Sequence, residues 1–513
     1  MTDRHSISQR FRQAVDDHET RPCLSFGGVE HSYAEMYSSC QEAVGVLNQL
    51  PTDARVGVLG DRSVENYQSM YSVILSGHCF VPMSPNFPVD RLRNMIDQSA
   101  PALVVYDSES KETAEMLAIH FPEIIFVLFD ELKNFSFPTF ESAEKSEQAI
   151  EESFQYVLFT SGSTGTPKGV GVTKRNVASY LDNFFELYPY VSTDKVSQTF
   201  ELTFDLGMHD VFTTWTTGAC LVPLKKEDVL FSANFIKQNK LSVWFSVPSV
   251  ARIMDQIGTI KDDSLQSLRL SMFCGEALTA SLASKWKSVA ANSRVVNLYG
   301  PTEATIAISS YELEDTQKVD SHQGLVSLGT AYPNQQLKLF KKSENSGYEP
   351  VETRDGVSGL LCLSGSQVTP GYWNDSKKTD QAFFTYAGQR WYLTGDIAMY
   401  RSGSFYYLGR SDSQVQIQGH RVELIELEFA LKEVTGSELC IALPLPHKST
   451  VTDKIAAVCS PTELEADEIL QSLKNTLPAY MVPDDLHIIE NFPTNSNGKV
   501  DRSALVDLLG FAE

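Results

Sequence analysis

Apolar positions along this chain recur in two alternating registers. In the first 150 residues, segments with helical spacing are separated by short continuous apolar runs. HSYAEMYSSCQEAVGVLNQL, from His31, predicts a helix after a short strand. RVGVLGDR, from Arg55, predicts a strand entering a turn, ENYQSMYSVILSG a helix stopping at Gly77, and ALVVYD, from Ala102, another strand. Residues 170–330 repeat this pattern. KRNVASYLDNFFELY and TASLASKWKSVA read as helices, the second begun by a Thr cap, while LSVWFSV, LRLSMFC and RVVNL read as buried strands. Strands alternating with helices predict an α/β fold, a largely parallel sheet covered by helices. Residues 331–410 shift to short strands and turns (GLLCLSG, TPGYWND, RWYLTGD, GSFYYLGR), a β-rich unit. From 411 onward a last small unit is expected: strand QVQIQG, helix ELIELEFALKEV, strand IAAVCS, helix ADEILQSLKNTL, then a Pro-punctuated end.

Length adds only that two to four structural units fit into 513 residues. Hydrophobic residues make up 42% and charged residues 21%, ordinary for a globular chain able to bury large cores. Charge narrows the partners. With 42 Lys and Arg against 65 Asp and Glu, the net charge is −23, which argues against nucleic acid or an anionic membrane as the main partner. The eight cysteines are scattered, with no C-x-x-C pair and no His/Cys cluster at zinc spacing, so a reduced, cytoplasmic protein is expected. The N-terminal stretch lacks the apolar core of a signal peptide, and no run of about 20 apolar residues suggests membrane insertion.

The chemistry gathers where strands end. Loops after Phe159, Cys274 and Leu298 begin at the carboxyl ends of predicted strands, where sites lie in open α/β sheets. YVLFTSGSTGTPKGV, from Tyr156, runs from a buried strand into Thr160, Ser161, Gly162, Ser163, Thr164 and Gly165. Such a loop offers backbone N–H groups and hydroxyls to a polyphosphate, and Lys168 adds a mobile positive charge. It is not a standard P-loop: Pro167 stands where that motif needs Gly, and Gly169 where it needs Ser or Thr. The full string resembles the phosphate loop of the adenylate-forming superfamily: acyl-CoA synthetases, luciferases and the adenylation domains of peptide synthetases. Further motifs extend the likeness over essentially the whole chain: SMFCGEAL, YGPTEAT from Tyr299, YLTGD ending at Asp396, GRSDSQVQIQGHRVELIELE from Gly409, LPAYMVP, and NSNGKVDR holding Lys499. It is similar above all to amino acid adenylation domains of the nonribosomal peptide type, and among these to D-alanine–D-alanyl carrier protein ligases.

The resemblance implies a large N-terminal domain, 1–410, of two α/β sheet subdomains plus a β-rich one. It also implies a small mobile C-terminal α+β domain, 411–513, turning at the hinge Asp412. It implies ATP and Mg²⁺, with the phosphate loop, Lys168, Gly275, Glu276, Tyr299, Gly300, Asp396 and Arg410 holding the nucleotide. Tyr299 offers a face for adenine, Thr302 a hydrogen bond to the α-phosphate, Glu303 a hard oxygen for the metal, and Asp396 acceptors for the ribose hydroxyls. Lys499 becomes the catalytic lysine, bridging carboxylate and phosphate, and Gln418 to Arg421 the segment entering the site for thioester formation.

FDLGMHD bears on the substrate. Asp205 matches the family carboxylate that pairs with an α-ammonium, and a buried unpartnered Asp would cost several kcal/mol, roughly, so it predicts a cationic group. By alignment, Leu206, His209, Phe245, Met272, Cys274, Leu298, Ile306 and Ala307 complete the pocket, and the bulk of Phe245, Met272 and Leu298 favours a small side chain. His209 is counted with the catalytic as well as the pocket residues, and hydrogen-bonding a polar substrate or merely packing both stay open. Gly207 departs from the usual Ser. D-Alanine, L-alanine, serine, threonine and proline all remain candidates. The sequence stops soon after Lys499 without a carrier-domain Gly-Gly-[His/Asp]-Ser segment, so the expected partner is a separate phosphopantetheinylated carrier protein. An acyl- or aryl-CoA ligase is the alternative, disfavoured by Asp205. A non-catalytic scaffold is disfavoured by the presence of Lys168, Glu303, Asp396 and Lys499.

Overall fold

A computed structural model of the chain describes residues 6–137, 149, 151–161, 167–261, 265–314, 319–343, 347–412, 414–437, 439–446, 452, 454–493 and 500–511. A six-stranded sheet has the order Ile125–Leu128, Leu103–Tyr106, Arg55–Leu59, Cys79–Met83, Phe154–Thr160, Lys168–Thr173. Its first five strands are parallel, and the last turns back antiparallel along Phe154–Thr160. A nine-stranded sheet has six parallel central strands: Arg294–Tyr299, Leu270–Phe273, Val243–Ser246, Lys195–Gln198, Cys220–Pro223 and Pro22–Phe26. Antiparallel strands close both of its edges. The first 150 residues therefore do not feed one sheet: the Pro22–Ser32 hairpin crosses to the second, where Leu24 pairs Leu221.

Helix starts follow local chemistry. Thr173 and Asn176 form a capping box on Lys174–Leu187, Ser32 and Glu35 one on Tyr33–Leu47, and Thr279 caps Ala280–Val289 as expected. The helix Asp205–Trp215 carries no readable period because all eleven of its residues are buried. Its far end is fixed by Trp215, which donates to the Cys23 carbonyl at 3.1 Å and packs against Phe11 and Tyr71.

The β-rich unit centres on the long strand Gln389–Arg401, between Val357–Gly365 and Phe383–Tyr386, with Ser404–Arg410 returning along it. Asp396 was expected just after a strand and a glycine turn; it lies inside that strand. Gly395, at φ +82°, absorbs the irregularity, and the register slips between Ile397 and Ala398 while pairing continues. The C-terminal residues form the hairpin Gln414–Ile417/His420–Glu423, the helix Leu424–Thr435, a three-stranded sheet and the helix Ala466–Thr476 around their own apolar core.

Candidate active site

Parallel register assembles one wall of the site. Phe245 pairs Met272, and Met272 pairs Val296, so these side chains share one sheet face with Leu298 two positions on. Leu206, Phe245, Met272, Cys274, Leu298, Ile306 and Ala307 all fall in one buried cluster. Burial pushes the Cys274 thiol up to about 12, so it stays protonated.

Asp205 opens its helix at this wall and is 7% exposed. It borders a cavity of roughly 30 Å³, together with Thr160, Ser161, Phe204, Thr302, Arg421 and Tyr480. Burial raises its carboxyl to about 6, against the pull of a Thr302 hydrogen bond. Gly207 explains its own departure: a Cβ there would sit 2.8 Å from the Glu201 carbonyl oxygen. His209, one turn on, is fully buried, and burial drives its imidazole down to about 3, hence neutral. Its Nδ1 lies 2.6 Å from the Tyr180 hydroxyl and its Nε2 3.3 Å from that of Tyr190.

Antiparallel pairing of Thr160 with Lys168 returns the lysine beside the end of the strand Phe154–Thr160. Gly162, Ser163, Thr164 and Gly165 lie outside the described residues, as does Lys499. The Lys168 Nζ stands 3.5 Å from Glu303 Oε1 and 3.2 Å from the Tyr372 hydroxyl. Burial, then the nearby Arg421, lowers it to about 8. Glu303 is wholly buried, in the turn Thr302–Ala304. Burial alone would raise its carboxyl, but Arg421, Lys168 and the Tyr372 hydroxyl together hold it at about 2. Tyr372, absent from the sequence-based site, donates to Glu303 Oε1 at 2.8 Å. Its only signal was TPGYWND, read as part of the β-rich pattern.

Tyr299, Asp396 and Arg410, expected on the nucleotide side, form a second network. Tyr299 donates to Asp396 Oδ2 at 2.5 Å, and Arg410 Nη1 reaches Oδ1 at 2.6 Å. Arg410 also grips Asp412, the expected hinge, through Nε at 2.7 Å and Nη2 at 2.8 Å. Gly300 sits where a Cβ would lie 2.6 Å from the Ala307 Cα, and Gly275 adopts φ +85°.

The segment 418–421 is seated in this site. Gly419 N–H donates to Glu276 Oε1 at 2.8 Å, and the Ser161 hydroxyl donates to the Arg421 carbonyl at 2.5 Å. His420 stacks on Tyr480, centroids 3.7 Å apart, with the Phe204 ring edge-on at 4.4 Å. Arg421 Nη1 spans both Glu303 oxygens, at 3.2 and 2.9 Å. Deeper in the interface, Arg91 meets Glu426 at 3.4 Å, both side chains almost fully buried.

Among the described residues no three His, Cys, Asp or Glu side chains gather to hold a metal ion. Glu303 is a lone hard carboxylate between two cations, which fits Mg²⁺ bound mainly through phosphate oxygens and water. Among the described residues, no helix is long and apolar enough to cross a membrane.

Comparison with known proteins bears on the family and the fold. The family model described as AMP-binding enzyme matches residues 11–373. The D-alanine–D-alanyl carrier protein ligase of Bacillus licheniformis is 29% identical over 505 residues, covering 95% of this chain and 97% of that protein. Surfactin synthase subunit 1 of Bacillus subtilis is 27% identical over 510 residues, 98% of this chain but 13% of that much longer protein. The Vibrio cholerae adenylation domain AlmE, solved with glycyl-adenosine-5′-phosphate, superposes with a TM-score of 0.86 at 28% identity, covering 98% and 97% of the two chains.

Proposed function

We propose, for a chain that belongs to the AMP-binding enzyme family, the ATP-dependent activation of a small amino acid and its transfer to a carrier-protein thiol. In the first step a substrate carboxylate oxygen attacks the α-phosphorus of ATP. The bond from that phosphorus to the bridging oxygen breaks and pyrophosphate leaves. In the second step the phosphopantetheine thiol, having lost its proton to solvent, attacks the carbonyl carbon of the adenylate as a thiolate, and AMP departs with the electron pair of the broken carbon–oxygen bond.

The carrying observation is the buried Asp205 facing one small cavity with Thr302, Ser161 and Arg421. A carboxylate so placed pairs with an α-ammonium, a group that fatty and aryl acids lack. The packed side chains beyond it favour a small substrate, as does the likeness to a domain solved with a glycyl adenylate. Thr302 and Lys168 orient and neutralise phosphate oxygens at the neck of the loop, and Tyr372 and Lys168 fix Glu303. Bound through Glu303, Mg²⁺ would draw charge from the phosphates. Lys499 is the proposed bridge between the two reacting anions, delivered when the C-terminal unit, 411–513, turns about Asp412. The seated segment 418–421 leaves Arg421 on Glu303 and suits the second step, in which pyrophosphate has gone.

The test is exchange of labelled pyrophosphate into ATP across both enantiomeric series of amino acids. Exchange confined to one or a few small amino acids is expected. No exchange with any of them, or product only with free CoA and a fatty or aryl acid, overturns the assignment.

A further inference from the structure

We infer that Tyr180 and Tyr190, which no motif singles out, are specificity-determining positioning residues: they clamp His209 from behind and so fix the depth of the side-chain pocket. The inference rests on the amino-acid reading above and names what limits that substrate. Asp205 and His209 are four apart on the helix Asp205–Trp215, so they share a face with Cβ atoms about 6 Å apart. On that reading an amino acid held by its ammonium on Asp205 would meet the imidazole after a side chain of one or two carbons, just beyond the cavity that Asp205 borders.

The imidazole is a wall and not a ligand. A neutral ring has one N–H to give and one lone pair to receive. Tyr180 takes up Nδ1 at 2.6 Å and Tyr190 takes up Nε2 at 3.3 Å, so neither nitrogen has capacity left for a substrate hydroxyl. Phe184 and Phe245 stand edge to face against the ring at 4.7 and 4.6 Å, at interplanar angles of 83° and 69°, and pack its sides while the two hydroxyls set its orientation. Tyr180 projects from the helix Lys174–Leu187 and Tyr190 from just beyond it; both are buried, and Tyr180 is backed by Tyr332 at 6.5 Å. The end of the pocket is thus held by hydrogen bonds from a neighbouring element. An unheld histidine could swing aside for a longer side chain.

The experiment measures amino-acid-dependent pyrophosphate exchange by the full chain with glycine, alanine, 2-aminobutyrate and valine, both enantiomers where they exist. It compares wild type, Tyr180→Phe, the Tyr180→Phe/Tyr190→Phe pair and His209→Ala. A fixed wall in wild type discriminates against each added methylene by about 10- to 200-fold in kcat/KM. The double Phe variant keeps the bulk and removes both hydroxyls. Its discrimination against the next larger homologue should fall about tenfold, through KM for the amino acid, with KM for ATP unchanged. His209→Ala should accept valine. Wild-type ratios retained in the double variant overturn the clamp and leave the amino-acid reading standing, whereas a wild type silent with every amino acid overturns both. Nitrogen-15 shifts of His209 give a readout independent of any variant: one neutral tautomer from pH 5 to 8 is expected, and titration in that range overturns the clamp.

Discussion

On the proposed reading, Asp205 couples function to a cost in stability. An ordinary aspartate ionises near 3.8, whereas burial holds this one at about 6. Between those values the unfolded chain has released a proton that the folded chain keeps, so this group's contribution to stability falls as pH rises from 3.8 to about 6 and stays low above. Asp205→Asn is therefore expected to raise the thermal midpoint at pH 7, by an amount equivalent to on the order of 1–3 kcal/mol. The same change leaves a substrate ammonium buried without its counter-charge, and kcat/KM for the amino acid should drop on the order of a hundredfold. In wild type, kcat/KM should climb with pH through about 6 and then level as the carboxyl becomes charged. A variant both less stable and fully active, or a flat profile from pH 5 to 7, would refute the ammonium-pairing role. Residue types in their motifs made Asp205, Glu303, Lys168 and Asp396 candidates in the sequence. Tyr372, Tyr180 and Tyr190 were not, because their roles come from which buried partners they meet across the fold.

The hairpin Gln414–Ile417/His420–Glu423 shows how an element makes a contact that single residues cannot. Its tip holds Gln418 at φ +49° and Gly419 at φ +82°, and a Cβ on Gly419 would stand 2.4 Å from Val247 Cγ1. Only a bare glycine fits against Val247 while giving its N–H to Glu276. Gly419→Leu should therefore block this seating while leaving the chain folded. Pyrophosphate exchange is expected within about threefold of wild type, since one-site surface changes cost little when the element is undocked. Transfer to the carrier thiol, followed as loaded carrier by mass spectrometry, should fall at least a hundredfold. Equal losses in both assays would show that the segment has no separate role in the second step. Periodicity foretold this strand and the helix after it. It could not foretell the helix Asp205–Trp215, buried on every side, or the passage of Asp396 through an unbroken strand, which depends on one glycine conformation.

At the scale of the whole molecule, alternation of strands and helices was enough to expect a largely parallel sheet covered by helices, followed by a β-rich unit, whereas the division into two α/β sheets came from the family resemblance. The exchange of Pro22–Ser32 into the second sheet was hidden, because strand order across a sheet is set by packing and not by sequence neighbours. The join between the N-terminal sheets and the C-terminal residues carries the last prediction. Arg421 occupies both oxygens of Glu303, the carboxylate that fits the metal, so one carboxylate has two mutually exclusive cations to serve. The buried Arg91–Glu426 pair steadies the seated arrangement from outside the site. Mg²⁺ with ATP should therefore unseat 418–421, and ATP without metal should do so far less. Hydrogen exchange at the Gly419 amide reads this directly, since that N–H is bonded to Glu276 only when the hairpin is seated. A rise in its exchange rate of about tenfold or more with Mg²⁺ and ATP is expected, corresponding to a shift of about 1.4 kcal/mol in the seating equilibrium. In Arg421→Ala the competitor for Glu303 is gone, so the rate should no longer depend on the metal. Protection that is the same with and without metal in the wild type would mean that Glu303 can hold both cations at once, and the two steps would then have to be separated by some other contact.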